Sequence, residues 1–147
     1  MTPTLFGRIQ TRIFAIAVIG GIWTLLITPL LPGTGGASLG DVYEVTITVL
    51  IVVTVVGIGW ELLYHGLQQF RWEKDWPTLV GLLTGINEGI LAYLLLDAGL
   101  APNLDAAPPG STFFWHFATT WLVAFLFLNG PMRVPFIRWR FRGGRII

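Results

Sequence analysis

Few side chains in this sequence are equipped for chemistry, and Glu88 leads them. It lies in GLLTGINEGI (81–90), next to Asn87, inside an otherwise apolar segment. An ionised carboxylate facing lipid at mid-depth costs at least ~2.5–3.5 kcal/mol, so such a group must face protein or water; in pumps and transporters it marks a proton path. Counting about 1.5 Å per residue from Pro77 puts Glu88 some 16 Å along its helix, close to a bilayer midplane. Gly81, Gly85 and Gly89 recur every fourth residue and form a small-residue ridge that admits a neighbouring backbone. At about 100° per residue Glu88 falls within about 20° of Gly81, with Thr84 beside it, while Asn87 points roughly 120° away and suits a second contact.

The remaining polar side chains form stripes that can answer Glu88. Gly20, Thr24 and Thr28 are spaced by four, and Thr24 falls at about the same 16 Å depth. Thr46, Thr54, Gly57, Glu61, Tyr64 and Gln68 share one helical face, and His116, Thr119 and Thr120 stand at i, i+3 and i+4. Threonines in membrane helices commonly bond their own backbone or a neighbouring helix, so these stripes read first as packing, as does the glycine ridge with Gly20 and Gly57. With no Lys or Arg expected within any span, Glu88 reads as a largely protonated carboxyl hydrogen-bonded to a threonine or to water. Its role is then either structural glue or proton exchange. Glu61, with Tyr64 and His65, falls about a turn from the inner interface within range of Arg71; a local pair is the simpler reading, and a two-step acidic path with Glu88 the alternative.

Other chemistries find no support. The chain has no Cys and two His, His65 and His116, that fall near opposite ends of their helices, so neither a metal site nor a haem or other cofactor is expected. There is no phosphate-cradling glycine loop, HExxH or nucleophile elbow, and the connections are too short for a catalytic domain. LPGTG (31–35) has the pattern that sortases cut, but three spans follow it, and it reads as a Pro/Gly turn.

The elements that position these residues follow from composition. Of 147 residues 54% are hydrophobic and 12% charged, with mean hydropathy +0.71, against roughly 25% charged residues in a soluble domain. The apolar residues gather into runs near the ~20 residues that cross a bilayer as a helix. We expect an all-α polytopic membrane protein, a single domain of four transmembrane helices in a compact bundle, with spans at about 13–31, 43–64, 77–96 and 111–130, and a basic tail at 131–147. The first apolar run is too long for a signal peptide and lacks a cleavage site, so it reads as a retained anchor.

The nine basic residues divide among the N-terminus (Arg8, Arg12), the connection between the second and third spans (Arg71, Lys74), and the tail (Arg133, Arg138, Arg140, Arg142, Arg145). The other two connections carry Asp41, Asp97 and Asp105 and no Lys or Arg. By the positive-inside rule both termini are expected in the cytoplasm, in a plasma membrane of bacterial inner-membrane type. Trp72 and Trp76 flank the turn RWEKDWP (71–77) at headgroup level, and its charges nearly cancel. Arg133, Arg138, Trp139, Arg140, Arg142 and Arg145 are expected on anionic lipid headgroups, not on nucleic acid.

Three functions are consistent with these residues. The first expectation is a noncatalytic accessory or assembly subunit of a larger membrane complex, or a homo-oligomer, packing through the glycine ridge and Asn87. The second is a small oligomeric proton-coupled transporter or channel whose oligomer encloses Glu88. The third is a lipid-modifying membrane enzyme with a Glu/His pair.

Overall fold

The computed structural model describes residues 4–70, 78–101, 103–104 and 106–147. Arg71, Trp72, Glu73, Lys74, Asp75, Trp76, Pro77 and Asp105 lie outside them. Among the described residues no strand occurs, and four helices are long and apolar enough to cross a membrane: α1 Leu5–Leu30, α2 Leu39–Gln69, α3 Thr78–Asp97 and α4 Gly110–Arg133. A short α5, Ile137–Phe141, follows.

Local chemistry fixes where these helices begin. Ser38 caps α2 in a reciprocal box: the Asp41 N–H donates to Ser38 Oγ at 3.2 Å and the Ser38 N–H to Asp41 Oδ2 at 3.3 Å, which satisfies two of the donors a helix start leaves open. Thr4 caps α1 by accepting from the Gly7 N–H at 3.2 Å. The first helix therefore starts eight residues before the expected boundary at 13, and Arg8 and Arg12 are turns of the helix instead of a flank. The reason is that hydropathy ends a span at its first charge, whereas a helix continues through a charge that finds a partner.

Within α1, Phe14–Gly20 is wound as a π-helix between α-helical turns. A line of residues at i+4 drifts by about 40° per step in an α-helix. The wider π turns reverse that drift, which keeps Arg12, Ile16, Gly20, Thr24 and Thr28 on one buried line.

The interior inverts the pattern of a soluble protein. At most 39% of any apolar window is buried, and Leu25, Leu26, Ile51, Val55, Ile86 and Leu94 are exposed. Buried instead are Arg12, Thr24, Thr28, Thr46, Glu88 and His116. In lipid, apolar burial between helices gains little, so close packing and interhelical polar contacts hold them together. Here α1 packs along α2 and α4, and α3 along the same two helices.

Both chain ends meet at one end of the helices. The Thr4 N–H donates to Gly143 O at 2.8 Å, Thr11 Oγ1 to Gly144 O at 2.9 Å, and the Ile146 N–H to Gln10 Oε1 at 2.9 Å. Gly143 and Gly144 have φ of 64° and 81°, a left-handed turn that glycine adopts without a Cβ penalty. A Cβ at Gly7 would collide with the Gly143 carbonyl, so three glycines let the tail lie on the start of α1.

Candidate functional site

The π stretch directs Arg12 into the protein, where it forms an ion pair with Glu88 of α3. Glu88 is 2% exposed and Arg12 8%, so this is a buried charge pair in the half of the helices nearer the chain ends. The expectation that no cation lies within reach of Glu88 is corrected here: the cation comes from α1, from a residue assigned to the flank.

Two neighbours shape the guanidinium's slot. A Cβ at Gly57 of α2 would stand 2.5 Å from Arg12 Nε, so the missing side chain makes room for the guanidinium. On another side Arg12 Cζ lies 4.5 Å from the centroid of Trp121 of α4, in the range where a ring face attracts a cation. The charges alternate onward from this slot. Arg12 Nη1 is 4.0 Å from Glu61 Oε1, Glu61 Oε2 accepts from Arg8 Nη1 at 3.0 Å, and Arg8 Nη2 donates to Gln68 Oε1 at 2.6 Å. Glu61 thus pairs with the two arginines of α1; its expected partner Arg71 lies outside the described residues. Tyr64 has Arg12 and Glu61 as charged neighbours and the side chains of Asn87 and Thr84 as hydrogen-bonding ones. His65 turns to Gln69, 3.4 Å away.

A cavity of about 360 Å³ leads to this network. Arg12, Glu61, Tyr64, Thr84 and Trp121 line its inner part, and Thr78, Asn129 and Arg133 lie at the end of the helices where the chain termini meet. Arg133 is exposed there and donates to Asn129 Oδ1 at 3.4 Å. Apolar wall is supplied by Ala15, Ile16, Phe125 and Leu128. The volume lies at the small end of the range for ligand pockets.

The glycine ridge of α3 receives rings where a neighbouring backbone was expected. A Cβ at Gly85 would overlap the Trp121 indole, one at Gly89 would be 2.6 Å from the Phe117 ring, and one at Gly81 would be 3.9 Å from Phe125. Phe113, Phe117 and Trp121 recur every fourth residue of α4 and stack in series, with centroids 5.6 and 6.0 Å apart. The Trp121 indole N–H also donates to Leu82 O at 3.3 Å. The ridge therefore positions the ring that covers Arg12.

Thr24 does not meet Glu88. With α1 starting eight residues earlier, Thr24 is about 12 Å further from the terminal end than expected, and its Oγ1 is 2.9 Å from His116 Nε2. Thr28 Oγ1 donates to Thr24 O at 2.6 Å and lies 3.0 Å from Thr46 Oγ1. Thr119 Oγ1 accepts from the Trp23 indole at 3.0 Å, and Thr54 Oγ1 donates to Leu50 O at 2.7 Å in its own helix. Thr120 is buried one turn from His116, with its methyl 3.0 Å from where a Cβ at Gly20 would stand. Between this hydroxyl thread and the charged network lies a void of only about 10 Å³, lined by Ile16, Val49, Val53 and Phe117 together with His116 and Thr120. The polar residues thus fall into two groups with a narrow, mostly apolar layer between them.

Arg8, Arg12 and Trp121 complete the site and were not singled out from sequence. One signal was available: Arg12 continues the i+4 line of Ile16, Gly20, Thr24 and Thr28 toward the N-terminus. In the tail, Trp139 donates to Thr11 Oγ1 at 2.7 Å, and Arg145 Nε to Thr4 Oγ1 at 3.4 Å, while Arg138, Arg140 and Arg142 are exposed. Asn87 is exposed on α3, and no cluster of three or more metal-ligating side chains occurs among the described residues. No family model, curated protein or solved structure matches the chain, so the chemistry of the site rests on its own residues.

Proposed function

We propose that this chain is a multi-pass membrane protein with both termini in the cytoplasm, in a compact bundle whose cavity opens to that side, and that Glu88 exchanges protons in a transport cycle. The observation that carries this reading is the cavity ending at Arg12, the partner of Glu88. A pair that served only to fasten helices would need no opening, whereas a group that exchanges protons must be reached from water. The positive-inside distribution supports the orientation, because it brings the arginine-rich ends, and with them the cavity mouth, to the cytoplasm. Enclosure of Glu88 needs no second copy, since it is 2% exposed within the single chain.

The mechanism rests on electrostatics. Glu88 is buried against Arg12, and a carboxylate that loses its partner in a low-dielectric interior is strongly unfavourable unless it takes up a proton. Motion of Arg12 toward the cavity therefore leads Glu88 to gain a proton, and its return releases one. The mostly apolar layer around Ile16, Val49, Val53 and Phe117 leaves only about 10 Å³ of space between the two ends.

The test is proton flux in vesicles holding the purified protein, under an imposed pH gradient in mixed chloride, phosphate and carboxylate salts. Flux is expected for the wild type and is lost in Glu88→Gln with an unchanged elution profile; equal flux in both proteins overturns the reading. The assembly-subunit reading stays in view because of Asn87, a polar side chain exposed on a helix that also exposes Leu83, Ile86, Ile90 and Leu94. A partner helix with a polar residue at that depth would compete with Tyr64 for it, and gentle purification that yields a larger complex without flux supports that alternative.

A further inference from the structure

The charges around the cavity identify what it would carry. Among the described residues three arginines, Arg8, Arg12 and Arg133, and one glutamate, Glu61, line it, and Glu88 lies behind Arg12. With both glutamates ionised, Arg8 and Arg12 balance Glu61 and Glu88, and the positive charge left over among the described lining residues is that of Arg133 at the mouth, which favours entry of an anion. One side of the cavity is polar and charged, with Arg8, Thr11 and Arg12 of α1 and Glu61 and Tyr64 of α2, and α4 gives it the apolar Ala124, Phe125 and Leu128. An occupant with an anionic group and an apolar body meets both kinds of surface, and a planar carboxylate fits the fork of a guanidinium.

Resting on the transport reading above, we propose that the cavity binds a small organic monocarboxylate, and that its carboxylate displaces Arg12 from Glu88, so that one anion and one proton are taken up together. The carboxylate bonds the edge of Arg12 that lies 4.0 Å from Glu61. Drawn toward the cavity, Arg12 leaves Glu88, which forms an O–H bond with a proton supplied by an acid in the cavity water. The groups facing Glu88 set this exchange: Arg12 with Arg8 from α1, and Glu61 and Tyr64 from α2. The α4 face gives Trp121 at this level, with His116 at the narrow layer and Arg133 at the mouth. The empty and loaded networks carry the same net charge, because the anion's negative charge is matched by the proton's positive one. A change of access then moves no net charge through the low-dielectric interior.

Titration calorimetry of the full chain in detergent, run in two buffers of different ionisation enthalpy, tests the coupling directly. Benzoate is the carboxylate probe, with chloride, inorganic phosphate and a short-chain phosphatidylglycerol as comparisons. The expected result is saturable benzoate binding with uptake of about one proton per anion, as linkage requires when a group gains its proton on binding. Glu88→Gln is expected to bind benzoate without proton uptake, and Arg133→Gln, at the mouth, to bind more weakly with the uptake retained. Wild-type protein that binds no benzoate, binds it without proton uptake, or binds only phosphate or the phospholipid overturns the proposal without need of a variant. Proton flux that depends on Glu88 but is indifferent to carboxylate overturns this proposal and leaves the transport reading standing; absence of Glu88-dependent flux in every salt overturns both.

Discussion

The two ends of the helices solve the burial of polar groups in different ways. Toward the chain termini α1, α2 and α3 contribute full charges, Arg8, Arg12, Glu61 and Glu88, and a cavity reaches them. Toward the other end α1, α2 and α4 contribute hydroxyls and one imidazole, joined at 2.9 and 3.0 Å through Thr24, His116, Thr28 and Thr46. Hydroxyl groups can fall back on their own helix, as Thr28 does with Thr24 O and Thr46 with Val42 O, so these two keep a partner if the bond between them is lost. A charge has no such fallback. The hydroxyl half can therefore be sealed and static, while the charged half depends on partners and on access to water.

The sharpest way to break this contrast is Arg12→Ala. It leaves Glu88 buried without its cation, and the expected loss is about 3–5 kcal/mol, read as reversible unfolding in mixed micelles. Arg12→Met combined with Glu88→Met is expected to recover most of that loss, because a well-packed apolar pair removes both charges together. If the single substitution costs no more than a hydroxyl deletion, the charged half is not the special one.

Packing gives the next largest effect. Gly85→Ala forces the Trp121 indole away from α3 and off the Arg12 guanidinium, at an expected cost of about 1–3 kcal/mol. The matching change in the other half, Gly20→Ala, meets a threonine methyl at 3.0 Å and a leucine methyl at 3.3 Å, both able to shift, and is expected to melt closer to the wild type.

Thr24→Val removes the Thr24–His116 bond, and in a membrane helix that is worth about 0.6 kcal/mol and no more than about 1.7. Thr54→Val, which removes only a bond to its own helix at Leu50 O, is expected to stay within about 0.5 kcal/mol of the wild type. Melting temperatures of the two, measured side by side, order the interhelical and intrahelical hydroxyls.

Much of the fold was legible because hydropathy and turn chemistry are local. Four apolar runs became four helices, and the ends of α3 and α4 lie within a few residues of where the runs stop. Glu88, expected to face away from lipid, is buried. Its partner was not legible, because counting apolar residues assigns every charge to a flank, and only a three-dimensional neighbour tells a flanking arginine from a buried one. That single misassignment displaced Thr24 by about 12 Å and placed it beside Glu88 instead of His116. The glycine ridge was visible as a spacing, yet whether backbone or rings fill it depends on the facing helix, here Phe117 and Trp121. The tail arginines were visible as charge, but the docking of residues 139–146 on Thr4, Gln10 and Thr11 joins segments more than a hundred residues apart.

Composition and periodicity alone determined that this chain makes apolar helices of membrane-spanning length with an acid inside one of them, since hydration energy and helical repeat belong to each segment by itself. The tertiary structure decided the rest: which charge answers that acid, that a tryptophan and a missing side chain enclose the pair, and that a cavity leads to it. Those are relations between helices. Ion-pair and packing energies fall away within a few ångströms, so they are set by which faces meet and not by the order of residues along any one of them.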